Sequence, residues 1–370
     1  MTNITKDAIY DAVAPDNFEA MLALDRYNGR STAFDKIIAA THDHFWDPLD
    51  TRYIDFSEPF DLENTPLVPE WLIASLSTDY VSGHLSDPKT RTAFINKAVL
   101  YAFSSILHGE QGALNLSASL CHVLRDQGAQ EYAANQTREE ARHVTAFARY
   151  IRARWGEPVS CGPVLKDLLV DIIAAPEVYK KIIGMQMLVE GLAMGAFATY
   201  YQNIADPVGK KLLQLVMTDE AFHHRFGKIW ADRTIPKLTA EEHAVVEDWA
   251  AQCFQHLLFN LVSPSQMEPL YREFGLDPEM VMEAFRELMT DEKRRETLRR
   301  SSNIFRVLVQ TLLNAGIITE RTRSFYAIYI DMDELKNEGD RMIGDDIADE
   351  GIAYLQEINF RARSSRIAAE

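Results

Sequence analysis

From about residue 92 onward, apolar residues recur at three- and four-residue intervals, the spacing that gathers them on one face of an α-helix. The first run reads RTAFINKAVLYAFSSILHGEQGALNLSASLCHVLRD. A second extends from about Gln127 to Trp155, where WGEPVSCGP supplies Gly and Pro stop signals. A third begins near Pro176, a residue suited to a first helical turn, and ends before ADPVG. The fourth starts there and runs to about Arg233, with Pro236 closing it. No stretch alternates cleanly between apolar and polar positions up to a hairpin turn, so the pattern predicts an all-α fold.

Residues 1–91 break this rhythm. They hold six of the chain's 14 prolines, and FWDPLDTRYIDFSEPFDLENTPLVPEW mixes aromatics with turn formers. So many aromatic residues argue against a disordered tail, and the segment is expected to wrap over a core as short helices and loops. Helical spacing returns in 236–370. There TAEEHAVVEDW opens with Thr239 and acidic residues, a helix start, and LDPEMVMEAFRELM leads into a long periodic stretch ending at NAG. The expected organisation is an N-terminal wrap (1–91), a central unit of four helices (92–235) and a C-terminal helical extension packed on it (236–370).

The stretch 182–205 is long enough to cross a bilayer and carries one charge, Glu190. That charge, with Gln186, Gln202 and Asn203, favours a buried helix of a bundle instead. The formal net charge of −17 argues against nucleic-acid binding. Cys121, Cys161 and Cys253 form no CxxC pair, and the acidic N-terminus has no apolar run of the signal-peptide kind. A cytoplasmic protein that neither spans nor anchors to a membrane is expected.

Between Lys97 and Arg125 the only formally charged residue is Glu110. Together with Glu190 it opens a repeat: Glu110, Glu140 and His143 recur 80 residues later as Glu190, Glu220 and His223. Each half is a lone glutamate in an apolar run, then a Glu-x-x-His. The register is set by elimination, since Arg142 follows Glu139 by three and Phe222 follows Asp219 by three. A carboxylate in an apolar interior must be protonated, paired or metal-bound. Residues i and i+3 share a helix face, so each Glu-x-x-His offers an oxygen and an imidazole to one point. Four carboxylates and two imidazoles facing inward balance two divalent cations, and such donors suit iron or manganese. Glu139 and Asp219 are placed to accept the outer N–H of a metal-bound histidine, and Arg142 to pair with one of them.

With EEARH (139–143) and DEAFH (219–223), the chain resembles the ferritin-like di-iron carboxylate superfamily. The likeness is to its oxygen-activating branch: bacterial monooxygenase hydroxylases, stand-alone di-iron oxygenases and ribonucleotide reductase small subunits. It covers about 92–233. EEARH is similar to the hydroxylases' [DE]-E-x-R-H, whereas Phe222 stands where the second copy would carry Arg. The resemblance implies a ferritin-like four-helix bundle and ligation by Glu110, Glu140, His143, Glu190, Glu220 and His223. It implies two Fe, with Mn/Fe or Mn/Mn as alternatives. Where reductase subunits place a radical tyrosine this chain has Phe147; Tyr150 lies two turns from His143. The expected function is a di-iron oxygenase or oxidase that uses O₂ to hydroxylate, desaturate or N-oxygenate a small organic substrate. Electrons would come from a ferredoxin or reductase, and a homodimer is expected. The alternatives are an iron- or manganese-handling protein and a Mn/Fe radical-generating subunit.

Overall fold

The fold is all-α. The structure, a computed structural model, describes residues 9–42, 44–256, 263–288, 303–327, 330–335 and 344–367. Among them the one β-type pairing is an isolated bridge between Ala12 and Leu124.

Local chemistry sets the long helices. α1 (Pro88–Val123) starts four residues before the periodicity predicts, because Asp87 accepts the Thr90 N–H at 2.8 Å and Pro88 fits the first turn. α2 (Gln127–Trp155) is capped by Asp126, which accepts from Gly128 and Ala129, and ends at Gly156, whose φ of 90° releases the helix. α3 (Pro163–Ala174) is a helix that the Gly/Pro signals conceal. Pro163 occupies its first turn, and it packs on α1 while burying Leu165, Leu169 and Ile172. α4 spans Val178–Asn203, and α5 (Pro207–Thr234) is capped by Asp206, which accepts the Val208 N–H at 3.0 Å. α1 packs along α2, α4 along α5, and α5 also meets α2.

α4 is long and apolar enough to cross a membrane, yet 72% of its most apolar window is buried inside the protein. Between Ile182 and Val189 its hydrogen bonding widens to a π-helix, which ends at Glu190. Glycines let neighbours approach it closely. A Cβ at Gly184 would sit 2.7 Å from Trp249, and one at Gly191 2.5 Å from Leu308.

The remaining elements cover this unit. α6 (Ala240–His256) begins with a reciprocal cap between Thr239 and Glu242 and packs on α4. α7 (Pro278–Leu288) and α8 (Asn303–Asn314) bracket 289–302, so the middle of the predicted 277–316 stretch lies outside the described residues, as does the end of the predicted 239–262 helix. α8 packs on α4, and α9 (Asp345–Ile367) lies along α5. In the N-terminal region, short helices (Phe18–Met21, Leu24–Asn28, Asp35–Thr41, Asp79–His84) alternate with extended segments, and one of those segments buries Trp46 completely.

Two apolar clusters make up the core. One takes Leu116 and Leu120 from α1, Tyr132 from α2, Ile183 from α4 and Phe226 from α5. The other takes Phe103 and Leu107, Phe147, Met194 and Val216 from the same four helices. Along each helix the acids and histidines of the repeat fall between the two stretches. The site is therefore a polar layer between two dry ones.

Candidate metal centre

Two groups of donors meet in this layer, and the oxygens and imidazole nitrogens of each lie within 4.8 Å of one another. Glu110, Glu140, His143 and Glu220 form one group; Glu140, Glu190, Glu220 and His223 form the other. The structure thus brings together all six residues of the sequence repeat, with Glu140 and Glu220 common to both groups. All six are buried. His143 turns Nδ1 inward, 3.2 Å from Glu110 Oε2, 3.3 Å from Glu140 Oε2 and 3.2 Å from Glu220 Oε1. His223 Nδ1 lies 3.0 Å from Glu140 Oε1 and 3.1 Å from Glu220 Oε2.

The outward nitrogens are held by acids across the helix pair. His143 Nε2–H donates to Asp219 Oδ2 at 2.8 Å, and His223 Nε2–H donates to Glu139 Oε2 at 2.9 Å. Each histidine is therefore oriented by the acid that leads the other motif. Arg142 donates to both Asp219 oxygens, with Nε 3.0 Å from Oδ2, and its Nη2 lies 3.7 Å from Glu139 Oε1. His44, Glu139 and Asp219 form a third close group, but the Arg142 guanidinium already supplies the positive charge there.

Charge explains the pKa pattern. Burial drives Glu110 and Glu190 well above the usual carboxylate range. Burial also opposes ionisation of Glu140, but the His223 charge and hydrogen bonds from both histidines hold it down to about 2. Burial works against protonating His143 and His223, and the surrounding carboxylates, Glu110 for the first and Glu140 for the second, raise both well above the histidine range. Asp219 is pulled well below its usual value despite burial, chiefly by Arg142.

These residues fit a metal on a structural criterion. Glu140 Oε2 and Glu220 Oε1 are fully buried and make no hydrogen bond of good geometry, since the one His143 Nδ1–H that lies 3.3 and 3.2 Å from them is divided between both and Glu110. Such atoms are costly unless something outside the chain meets them. They belong to the two carboxylates shared by both groups.

Several contributors were not read from the sequence. Trp46 Nε1–H donates to Asp219 Oδ2 at 2.9 Å, and its ring stacks on His143 at 6.0 Å. His44, fully buried, places Nε2 3.3 Å from Asp219 Oδ1 and stacks on Phe222. Gln136 donates to Glu140 Oε1 at 3.0 Å and Glu190 Oε1 at 3.3 Å, and Asn135 donates to Glu139 Oε1 at 2.9 Å. Only helix spacing could have indicated the last two, each four residues before the acid it contacts on α2. Tyr150 donates to Asp206 at 2.9 Å and stands beneath Arg154. His108 faces Val159 O at 2.9 Å, away from the centre. His224 is buried with Nε2 3.2 Å from Thr311 Oγ1, and burial lowers it to about 4.

No protein-family model matches the chain, and no curated protein matches it. The functional reading rests on the centre itself.

Proposed function

We propose that α1, α2, α4 and α5 form a ferritin-like four-helix bundle holding two metal ions, and that the chain is an O₂-dependent di-iron oxidase or oxygenase of a small organic substrate. The observation that carries the reading is the pair of four-donor groups sharing Glu140 and Glu220, each of which keeps a buried oxygen without a well-formed hydrogen bond. Glu110 with His143 and Glu190 with His223 serve as the ligands private to each ion. Oxygen and imidazole donors without thiolate suit iron, or manganese in its place. A di-iron pair, when bound, supplies the electrons that reduce O₂ and the oxidising power that acts on substrate.

The chain's own residues do the rest. Asp219 and Glu139 fix the tautomer and orientation of the two histidines. The apolar clusters on either side exclude water from the layer. External electrons from a ferredoxin or reductase, a homodimeric state and a cytoplasmic location belong to the same proposal.

Anaerobic Fe(II) titration followed by O₂ pulses tests it. Two Fe(II) per chain, O₂ uptake in proportion to the iron, and faster uptake with a substrate present are the expected results. Mineral formation far beyond two irons per chain would make it a storage protein, and binding of one ion or none would end the di-metal reading.

A further inference from the structure

We infer that the two metal positions are unequal, and that the one held by Glu190 and His223 binds its ion more tightly than the one held by Glu110 and His143. This rests on the di-metal reading and adds an order of loading. The two positions have donors of the same kinds; the groups behind the histidines differ. Behind His143, Asp219 accepts from Trp46 at 2.9 Å and from Arg142 at both oxygens, with His44 Nε2 at 3.3 Å. Its charge is neutralised and its lone pairs are divided among competing donors, so it has less to give the His143 N–H. Behind His223, Glu139 accepts from the neutral Asn135 amide at 2.9 Å, and Arg142 stays 3.7 Å away. Glu139 keeps more negative charge, polarises His223 more strongly and makes its Nδ1 the better donor. The Arg142 cation also sits on the Asp219 side, where it opposes a second cation. Gln136 acts in the other direction, donating to Glu190 Oε1 at 3.3 Å. It lies closer to Glu140, which both positions share, at 3.0 Å.

Two titration steps alone would follow from repulsion between two ions in equal sites, so the test removes one private carboxylate at a time. Glu110→Gln leaves the Glu190/His223 position, and Glu190→Gln leaves the Glu110/His143 position, with the same charge lost from each. Co(II) titration of the full-length apo proteins, followed by visible absorption and calorimetry, reads the affinity of the remaining site. Glu110→Gln is expected to bind its single Co(II) at least about tenfold more tightly than Glu190→Gln, at the lower end of what outer partners of metal-bound histidines contribute. Adding Trp46→Phe removes a competing donor from Asp219. It should raise affinity several-fold in the Glu190→Gln background and leave Glu110→Gln unchanged, whereas a folding defect would weaken both. Equal affinities in the two variants, or the reverse order, overturn the inference while a wild-type stoichiometry of two keeps the di-metal reading. A wild-type protein that binds one Co(II) or none overturns both.

Discussion

His143 on α2 donates its Nε2–H to Asp219 on α5 at 2.8 Å, and the same Asp219 carboxylate anchors Arg142, one residue before that histidine. One buried acid thereby fixes both the ring that faces the metal layer and the guanidinium that lies behind it.

Asp219→Asn separates these roles. An amide oxygen can still accept from His143, but the buried Arg142 charge loses its nearest partner and keeps only Glu139 at 3.7 Å. Stability should fall by about 3–5 kcal/mol, the cost of breaking a buried pair by removing one member. Metal affinity should fall about 10- to 100-fold through loss of the histidine's carboxylate partner. Urea unfolding of the metal-free variant and a parallel metal titration measure the two effects independently.

Glu140→Ala and Glu220→Ala should each disable both metal positions, because each carboxylate belongs to both groups. Glu110→Ala should spare one position. Metal analysis after equilibrium dialysis reads this as a bound stoichiometry near zero for the shared acids and near one for the private acid. Equal loss in all three variants would show that the carboxylates are not divided between shared and private roles.

Gly227→Ala tests how far the site depends on packing beyond its ligands. A Cβ there would lie 2.9 Å from Gln186 Cβ and from Met187 Cγ, and 3.3 Å from the Gln186 carbonyl carbon. These atoms belong to the π-helical segment that ends at Glu190 and cannot swing aside as a side-chain tip would. Overpacking should cost about 1–3 kcal/mol, more than the roughly 1 kcal/mol that Ala gains over Gly inside a helix. The shift should reach Glu190, so metal affinity falls along with the urea midpoint. An unchanged affinity in a destabilised variant would show that the π-helical segment does not set the position of Glu190.

The contrast between what could and could not be read in advance has physical causes. α2 and the end of α5 lie close to where Asp, Gly and Pro mark their ends, because caps are local chemistry. The six inward residues were legible because a glutamate in an apolar run has few alternatives to pairing or metal. α3 was hidden because Pro163 reads equally well as a stop and as a first turn. The π-helix left no trace, since its wider turn shows no period in a stretch that is apolar on every side. His44 and Trp46 reach Asp219 across more than 170 residues of chain, and no local pattern records such a contact. The exchange of acids between motifs needs α2 and α5 side by side, a tertiary fact that spacing within one helix cannot supply.

The metal-free centre should also show an unusual dependence on pH. His143 and His223 have folded values raised well above the ordinary 6.5, so the stability they contribute is complete below pH 6.5 and is lost as pH rises through their folded values. Glu110 and Glu190 are raised as well, chiefly by burial. They retain protons in the folded state that the unfolded chain gives up above about pH 4.5, and this too lowers stability as pH increases. Glu140, lowered to about 2, acts only at the acid end: its contribution is present above pH 4.5 and lost on acidification toward 2. Metal-free protein should therefore be more stable at pH 6 than at pH 8. Metal ions replace the protons of the centre, so binding must release protons and strengthen as pH rises. Urea midpoints at pH 6 and pH 8, each with and without Fe(II) under anaerobic conditions, should reverse in order when the metal is added. A metal-free midpoint that rises between pH 6 and pH 8 would show that protons on these four residues, His143, His223, Glu110 and Glu190, do not hold the empty centre together.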